Sequence, residues 1–477
     1  MDAVVRTSAG TVRGLAGDGI TTFLGIPFAA APDGPRRFQP PTAPEPWDGV
    51  RDAVEFGTAP PQLRQVPSMP SVWEPGDGLD CLTVNVWTPD GGAANLPVMV
   101  WIYGGAWKQG AAKEADYEAG TLARSGVVVV TFNYRVGFEG FGHLPGFPDN
   151  RGLRDQVAAL EWVRDNIAAF GGDPGNVTIF GESSGAASVA IHVGAPGARD
   201  LFRRAIAQSI PGSFLAPERA EKVTRILSEE TGVEPTWDGF ATLTPETLLR
   251  VQDVPLRGGR SGITAFGPVI DGDLVTGQPW EPIQAGAGRD IDLVCGFTHE
   301  EYRLFAAGVD ASGFDLPRVA TNVGLGSEAI SAYQAAYPGS DNGDLFTVLM
   351  SDWLFRIPST WVAEAHARAG GRTWLYDFTW KSPLLGACHA IDLPFTFGNA
   401  DTPLATLLLG SPPPGDFDAL SRQVRTSWTS FAATGDPGWS RFDLARRLTR
   451  IWDTPPRDAA YPLEDSYRIW DEHFAVG

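Results

Sequence analysis

The sequence is poor in cysteine and histidine. It has three cysteines, Cys81, Cys295 and Cys388, and six scattered histidines among 477 residues. So few cysteines, in an odd number, do not make a disulfide framework, and the first residues show no basic segment followed by an apolar one that would direct export. We therefore expect a cytoplasmic protein. No cysteine and histidine cluster has the spacing of a zinc site, which predicts a chain without a structural metal.

Positive charge is also scarce. The 37 Lys and Arg residues are outnumbered by 57 Asp and Glu residues, and the formal net charge is −20. Such an acidic chain is unsuited to nucleic acids, because they bind to basic surfaces. No run of apolar residues is long enough to span a bilayer. We therefore expect neither a nucleic-acid partner nor a membrane partner. The sequence has no signal for an oligomeric state, and we expect a monomer.

Apolar runs alternate with a helical pattern in the first half of the chain. Residues 96–105 and 126–135 predict buried strands of a mostly parallel sheet. Residues 153–170 have apolar side chains at helical spacing and end at two glycines, which predicts a helix. A short β-branched and aromatic run at 177–180 predicts the next strand. This order predicts an α/β fold with helices on both faces of the sheet.

The second half of the chain is less regular. Residues 215–265 have a polar, helical pattern, and residues 313–370 are mainly helical in character. The runs at 291–297 and 372–380 predict two more core strands. No internal repeat or linker divides the chain. We expect one domain over residues 1–477, with a helical cap or subdomain at 313–370.

The stretch IFGESSGAAS (179–188) contains two adjacent serines. The nucleophile-elbow pattern Gly-x-Ser-x-Gly selects Ser183, because Gly181 and Gly185 flank it. For Ser184 the flanking residues are a glutamate and an alanine, and a sharp strand-to-helix turn has no room for the glutamate. The chain has 56 glycines, so the pattern also arises by chance and predicts a nucleophile only in a suitable context.

A glycine-containing loop, WIYGGAW (101–107), follows the first predicted core strand. Its backbone amides are suited to stabilising a negative oxygen, and such a donor contributes about 10²–10³ in rate. Taken alone, the loop is more simply interpreted as a tight turn. In an α/β-hydrolase, however, such a loop precedes the nucleophile elbow, and the acid and the histidine follow the elbow in that order. The order of the two motifs therefore favours the catalytic interpretation.

Together these motifs make the chain resemble the type-B carboxylesterases, the family that includes the cholinesterases and the bacterial p-nitrobenzyl esterases. The resemblance covers nearly the whole chain and implies the α/β-hydrolase fold. Its blocks, in the family's order, are FLGIPFAAAPDGPRRFQPP (23–41), LDCLTVNVWTP (79–89), NYRVGFEGF (133–141), DQVAALEWVRDNIAAFGGDPGNVTIFGESSGAAS (155–188) and GACHAIDLPFTFGN (386–399).

Three residues match the catalytic triad of that family. Ser183 matches the nucleophile, and His389 matches the general base. Of the two adjacent acids in CGFTHEEY (295–302), the second, Glu301, matches the triad acid, with Glu300 as the alternative. The residue types suit these roles, because a serine hydroxyl needs a base, an imidazole titrates near neutral pH, and a carboxylate orients the ring.

Further positions match the family's oxyanion hole and its supporting residues. The resemblance implies that the amides of Gly105, Ala106 and Ser184 form the oxyanion hole, and that Glu182 and Ser209 support the site. Ala106 stands where the family usually has a third glycine, and Ser184 stands where it usually has alanine. Both residues keep the backbone amide that the oxyanion hole requires.

The resemblance implies a serine carboxylesterase of the EC 3.1.1 type that acts through an acyl-enzyme and needs no cofactor. We expect small carboxylic esters as substrates. The alternative is a carbamate or aryl-amide hydrolase with the same machinery, because the loops around the leaving group cannot be placed from the sequence. A more remote alternative is a non-catalytic binding protein like the family's animal adhesion members, which typically lose a triad residue.

Overall fold

The computed structural model describes residues 2–63, 71–89, 92, 94–252 and 265–474. Within these residues, thirteen strands form a single sheet. In chain order they are β1 (Asp2–Arg6), β2 (Thr11–Gly17), β3 (Ile20–Pro27), β4 (Val50–Asp52), β5 (Thr83–Pro89), β6 (Leu96–Ile102), β7 (Val128–Phe132), β8 (Gly172–Glu182), β9 (Arg204–Gln208), β10 (Asp292–Thr298), β11 (Thr373–Phe378), β12 (Thr449–Trp452) and β13 (Arg457–Ala459).

The sheet is parallel in its centre and antiparallel at its edges. Its spatial order is β1-β2-β3-β5-β7-β6-β8-β9-β10-β11-β12-β13, and β4 pairs with β2. All pairings from β7 to β12 are parallel. The pairings from β1 to β7 along this order, and that of β12 with β13, are antiparallel. A mostly parallel sheet is therefore confirmed.

Helices flank the sheet. In the described part of the chain the α helices are α1 (Gly120–Ala123), α2 (Gly137–Phe141), α3 (Arg151–Asn166), α4 (Ser184–Gly194), α5 (Pro217–Thr231), α6 (Trp237–Ala241), α7 (Pro245–Gln252), α8 (Trp280–Gln284), α9 (Arg303–Ala306), α10 (Leu316–Asn322), α11 (Ala329–Ala336), α12 (Asn342–Ser351), α13 (Ile357–Arg368), α14 (Leu393–Phe397), α15 (Pro403–Leu409), α16 (Phe417–Thr434) and α17 (Glu464–Phe474). A π-helical turn, Asp352–Arg356, joins α12 to α13.

The predicted central elements are present. β7 is buried at every residue and β6 at its last five, as the continuous apolar runs predict for strands covered on both faces. Helix α3 continues as a 3₁₀ turn over Ile167–Phe170, and Gly171 ends it with a φ of 89°, a left-handed value that glycine adopts without strain. The predicted strands at 177–180, 291–297 and 372–380 correspond to β8, β10 and β11.

The predicted helical regions of the second half are also helical where they are described. Helices α5 to α7 lie within 215–252, and residues 253–264 of that prediction lie outside the described residues. Helices α10 to α13 lie within 313–370. The treatment of 313–370 as a subdomain of one domain stays a prediction. Among the described residues, no helix has the length and apolar character needed to cross a membrane.

Candidate active site

The sheet topology places two loops side by side. From β6 the chain passes to β7 on one side, whereas β8 lies on the other side of β6. In open α/β sheets, ligands bind outside the carboxyl ends of the strands at such a reversal of order. The glycine loop that begins at Tyr103 follows β6, and Ser183 follows β8. Both predicted motifs therefore lie at the expected crevice.

Ser183 occupies a strained turn between β8 and α4. Its φ is 56° and its ψ is −127°, a conformation that costs a residue with a side chain about 1–3 kcal/mol. Close packing explains the glycines on either side. A β-carbon on Gly185 would lie 2.0 Å from the carbonyl oxygen of Ile102, and one on Gly181 would lie 2.7 Å from the same oxygen. Only glycine fits at these positions, so the structure supports Ser183 as the serine of the elbow.

His389 contacts both other members of the predicted triad. Its Nε2 lies 3.0 Å from Ser183 Oγ, and its Nδ1 lies 2.5 Å from Glu301 Oε2. Glu301 is fully buried, and its second carboxylate oxygen accepts a hydrogen bond from the Thr298 amide at 2.9 Å. The His389 amide also donates to the Glu301 carbonyl at 3.1 Å. The three side chains thus form one continuous line from carboxylate to hydroxyl.

Glu300, the alternative acid, faces away from His389. Its carboxylate oxygens lie 3.1 Å from Lys381 Nζ and 3.1 Å from an Arg303 guanidinium nitrogen. One of them also accepts a hydrogen bond from the Ala387 amide at 2.9 Å. Glu300 therefore holds the loop that leads to His389, but it does not contact the imidazole. This geometry favours Glu301 as the acid.

Glu182 is the third carboxylate near the imidazole. Its Oε1 atom lies 3.1 Å from His389 Nε2, which is an ion-pair distance. Among the described residues, this oxygen atom accepts no hydrogen bond. Burial raises the pKa of Glu182 well above its ordinary value. Burial lowers the pKa of His389, but the negative charges of Glu182 and Glu301 raise it by more, so the net shift is upward. The site is therefore built to stabilise an imidazolium.

The glycine loop presents backbone amides beside the elbow. A β-carbon on Gly104 would lie 3.0 Å from the β-carbon of Ser183, which shows how closely the loop and the elbow approach. Gly105 has a φ of 110° and Ala106 a φ of 56°. Among the described residues, the amides of Gly105, Ala106 and Ser184 have no hydrogen-bond acceptor. These three amides are available to bind a negatively charged oxygen.

Ser209 lies at the end of β9, next to the residue that holds the elbow. The carbonyl of Gln208 accepts a hydrogen bond from the Ser183 amide at 2.9 Å, and the Ser209 amide donates to the Gly296 carbonyl at 2.8 Å. Ser209 is fully buried, and its hydroxyl has no hydrogen-bond partner within the described chain. Its predicted supporting role therefore rests on its position and not on a contact with His389.

Three residues near His389 were not predicted, and one of them is Phe305, whose ring lies 5.2 Å from the imidazole between centroids. The ring of Phe355 stacks on the imidazole at 4.3 Å between centroids and 29° between planes. Asp392 accepts hydrogen bonds from Gln208 at 2.9 Å and Tyr376 at 3.0 Å, and burial raises its pKa to about 6. Asp392 lies three residues after His389, which is a sequence signal. Phe355 lies in the π-helical turn, for which the sequence has no comparable signal.

The described residues contain no cluster of candidate metal ligands. Across residues 2–63, 71–89, 92, 94–252 and 265–474, no group of three or more His, Cys, Asp or Glu side chains is placed to hold a metal ion. The carboxylates of Glu182, Glu301 and Asp392 surround His389 instead. The polar side chains of the site are therefore arranged around one titrating imidazole.

Comparison with known proteins identifies the family. A sequence model of the carboxylesterase family matches residues 1–453. The para-nitrobenzyl esterase of Bacillus subtilis (strain 168) is 36% identical over 468 residues, which cover 94% of this chain and 95% of that enzyme. A Mus musculus cholinesterase is 33% identical over 485 residues, which cover 91% of this chain and 79% of that protein. A crystal structure of a Geobacillus stearothermophilus carboxylesterase at pH 6.2 has a TM-score of 0.88, with 35% identity, and covers 98% of this chain and 99% of that chain.

The chain therefore belongs to the carboxylesterase family. It has the α/β-hydrolase fold, and it is a carboxylic ester hydrolase that acts on small-molecule esters. The predictions of family and fold are confirmed.

Proposed function

We propose that this protein is a serine carboxylesterase in which Ser183 is the nucleophile, His389 the general base and Glu301 the acid. One observation carries the proposal. A single hydrogen-bonded line joins the Glu301 carboxylate, the His389 imidazole and the Ser183 hydroxyl, with separations of 2.5 Å and 3.0 Å. Nucleophile, base and orienting acid in such a line are the arrangement that activates a serine.

Acylation begins when Ser183 Oγ attacks the carbonyl carbon of the ester and His389 Nε2 accepts the serine proton. The carbon–oxygen double bond becomes a single bond, and a tetrahedral intermediate with a negative oxygen forms. As the intermediate collapses, His389 returns the proton to the leaving alkoxide. The alcohol departs, and the acyl group stays on Ser183. Glu301 stabilises the imidazolium throughout and fixes the ring with Nε2 towards the serine.

Deacylation repeats the same proton transfers with water as the nucleophile. His389 takes a proton from the water, the resulting hydroxide attacks the acyl carbon, and a second tetrahedral intermediate forms. The proton then returns to Ser183 Oγ as the carboxylic acid leaves. Every atom comes from the ester, water and the enzyme, so the cycle needs no cofactor.

The amides of Gly105, Ala106 and Ser184 are the proposed donors to the negative oxygen of both intermediates. Their lack of acceptors among the described residues supports this role. Donors that are fixed before the reaction stabilise the charge without reorganising, and loss of one donor typically costs about 10²–10³ in rate. Ala106 keeps its backbone amide, so its methyl group removes no donor.

We further propose that the enzyme works in the cytoplasm as a monomer. Cys81, Cys295 and Cys388 are all buried and free, which supports a reducing compartment. The proposed substrates are small, uncharged or weakly polar esters with aromatic or short-chain groups. The related enzyme named para-nitrobenzyl esterase makes nitroaromatic esters suitable first probes.

The test is hydrolysis of a chromogenic ester, carbamate and anilide that share similar acyl and leaving groups. Ser183→Ala serves as the blank for each compound. We expect the ester to react much faster than the other two, and Ser183→Ala to be inactive with an unchanged circular dichroism spectrum. Turnover by a folded Ser183→Ala variant would refute the proposed nucleophile. A carbamate or anilide rate equal to the ester rate would refute the proposed substrate class in favour of the alternative hydrolase.

A further inference from the structure

The segment that carries the proposed oxyanion donors has an unusual backbone. Gly105, Ala106 and Trp107 have consecutive φ values of 110°, 56° and 55°. Only the first of these residues is a glycine, and residues with a side chain rarely adopt this left-handed region. Such a conformation persists only where the surroundings hold it in place. The relevant surroundings are the contacts of Trp107, at the end of the segment, and those of Tyr103, which lies two residues before Gly105.

The Ser184 hydroxyl contacts the end of this segment at Trp107. The Trp107 amide donates a hydrogen bond to Ser184 Oγ at 3.3 Å. Before the segment, the Tyr134 hydroxyl donates to the carbonyl of Tyr103 at 2.7 Å. Ser184 is itself fully buried, so water does not replace its bond to the Trp107 amide.

A second serine holds the side chain of Trp107. The indole N–H donates to Ser188 Oγ at 3.4 Å, one helical turn after Ser184. Ser188 Oγ also accepts from Gln156 Nε2 at 3.2 Å and donates to the Ser184 carbonyl at 3.0 Å. Helix α4 thus holds the backbone of Trp107 through Ser184 and its ring through Ser188. This division gives a matched pair of substitutions.

We propose that the Ser184 hydroxyl is a positioning group for the oxyanion hole, because it accepts the Trp107 amide and so fixes the end of the left-handed segment 105–107. The inference rests on the proposed function, in which the amides of Gly105 and Ala106 bind the developing negative charge. Alanine at this position would leave the buried Trp107 amide without its acceptor. The amides would then be less well ordered for the transition state, whereas binding of the uncharged ester would be little changed.

The test compares Ser184→Ala with Ser188→Ala in the full chain. We expect Ser184→Ala to lower kcat about threefold to tenfold, the size of one hydrogen bond, with KM within about twofold of wild type. The inhibition constant of a trifluoromethyl ketone, whose adduct with Ser183 places a negative oxygen in the hole, should rise by the same factor as kcat falls. Ser188→Ala leaves two buried donors unpaired, so we expect a lower Tm but a smaller loss of kcat.

Several results would overturn the inference. One is a Ser184→Ala variant with wild-type kcat and wild-type trifluoromethyl ketone inhibition. Another is a loss confined to KM, or a larger loss of kcat in Ser188→Ala. If Ser184→Ala does not fold, Ser184→Cys offers the Trp107 amide a much weaker acceptor in a side chain of similar shape, and unchanged kcat and inhibition in that variant would contradict the proposal. Activity in Ser183→Ala would instead refute the proposed function, so the two failures are distinguishable.

Discussion

Replacing Glu301 with glutamine should be far more damaging than the same change at Glu300. The carboxylate of Glu301 is fully buried and lies 2.5 Å from His389 Nδ1. Breaking a buried ion pair from one side costs about 3–5 kcal/mol. Because the imidazolium forms on the way to the transition state and about 1.36 kcal/mol is a factor of ten in rate, we expect kcat to fall by about 10²–10⁴.

Glu300→Gln is the matched control. The partners of Glu300 are surface groups, with 46% of the Arg303 side chain and 60% of the Lys381 side chain exposed. Such pairs contribute about 0–1 kcal/mol each, and the glutamine oxygen still accepts the Ala387 amide. We expect a loss of less than about tenfold in kcat.

The assay is steady-state hydrolysis of a p-nitrophenyl ester by both variants, with Tm measured in parallel. The two substitutions make the same chemical change in adjacent residues, so a general effect on folding would affect both. Removing the Glu301 carboxylate also removes one of the charges that raise the pKa of His389, so the acid limb of the kcat/KM profile should move to lower pH. Equal losses of kcat in the two variants, or a larger loss in Glu300→Gln, would refute the assignment of the acid.

Two further predictions concern other carboxyl groups, the buried Glu182 and the half-buried Glu114. Glu182→Gln removes the ionisable group 3.1 Å from His389 Nε2, whose negative form raises the pKa of His389, so the acid limb of kcat/KM should again move to lower pH; an unmoved limb would contradict the proposed coupling. Burial raises the pKa of Glu114 from 4.5 to about 7. Because the folded protein holds the Glu114 proton more tightly than the unfolded chain does, the free energy of unfolding of the wild-type protein should fall as the pH rises from 4.5 through about 7. The Glu114→Gln variant should lack that dependence on pH. Urea unfolding at about pH 5 and about pH 8 measures both proteins, and the same pH dependence in both would contradict the assignment.

Most strands at the centre of the fold could be predicted because they are buried on both faces, although β9 and β12 were not predicted. Such strands are continuous apolar runs, as in β6 and β10, and they can be recognised from the sequence without knowledge of the neighbouring strands. The strands near the β1 edge of the sheet were not predicted. All three residues of β4, Val50–Asp52, are exposed, and β3 has a bulge between Phe23 and Ile26 that interrupts its pattern. These strands depend on pairing with β2 and β5, and tertiary pairing has no local signal.

The triad could be predicted as a set of motifs, but not the contacts that tune it. Ser183 and His389 are 206 residues apart in the chain, and their 3.0 Å contact follows from the sheet topology. The approach of Glu182 to the same imidazole nitrogen depends on the turn of the elbow. The stacking of Phe355 depends on a π-helical turn whose residues look like ordinary helix formers. Both features arise from tertiary packing, which residue spacing does not encode.

The proposed nucleophile is tested by identifying the residue that becomes acylated during turnover. The enzyme would be mixed with a p-nitrophenyl ester, quenched in acid during the initial burst, digested and analysed by tandem mass spectrometry. We expect one acyl group per chain, located on Ser183 and absent from the Ser183→Ala variant. An acyl group on Ser184 or any other residue, or a burst of p-nitrophenol with no acylated residue, would contradict it.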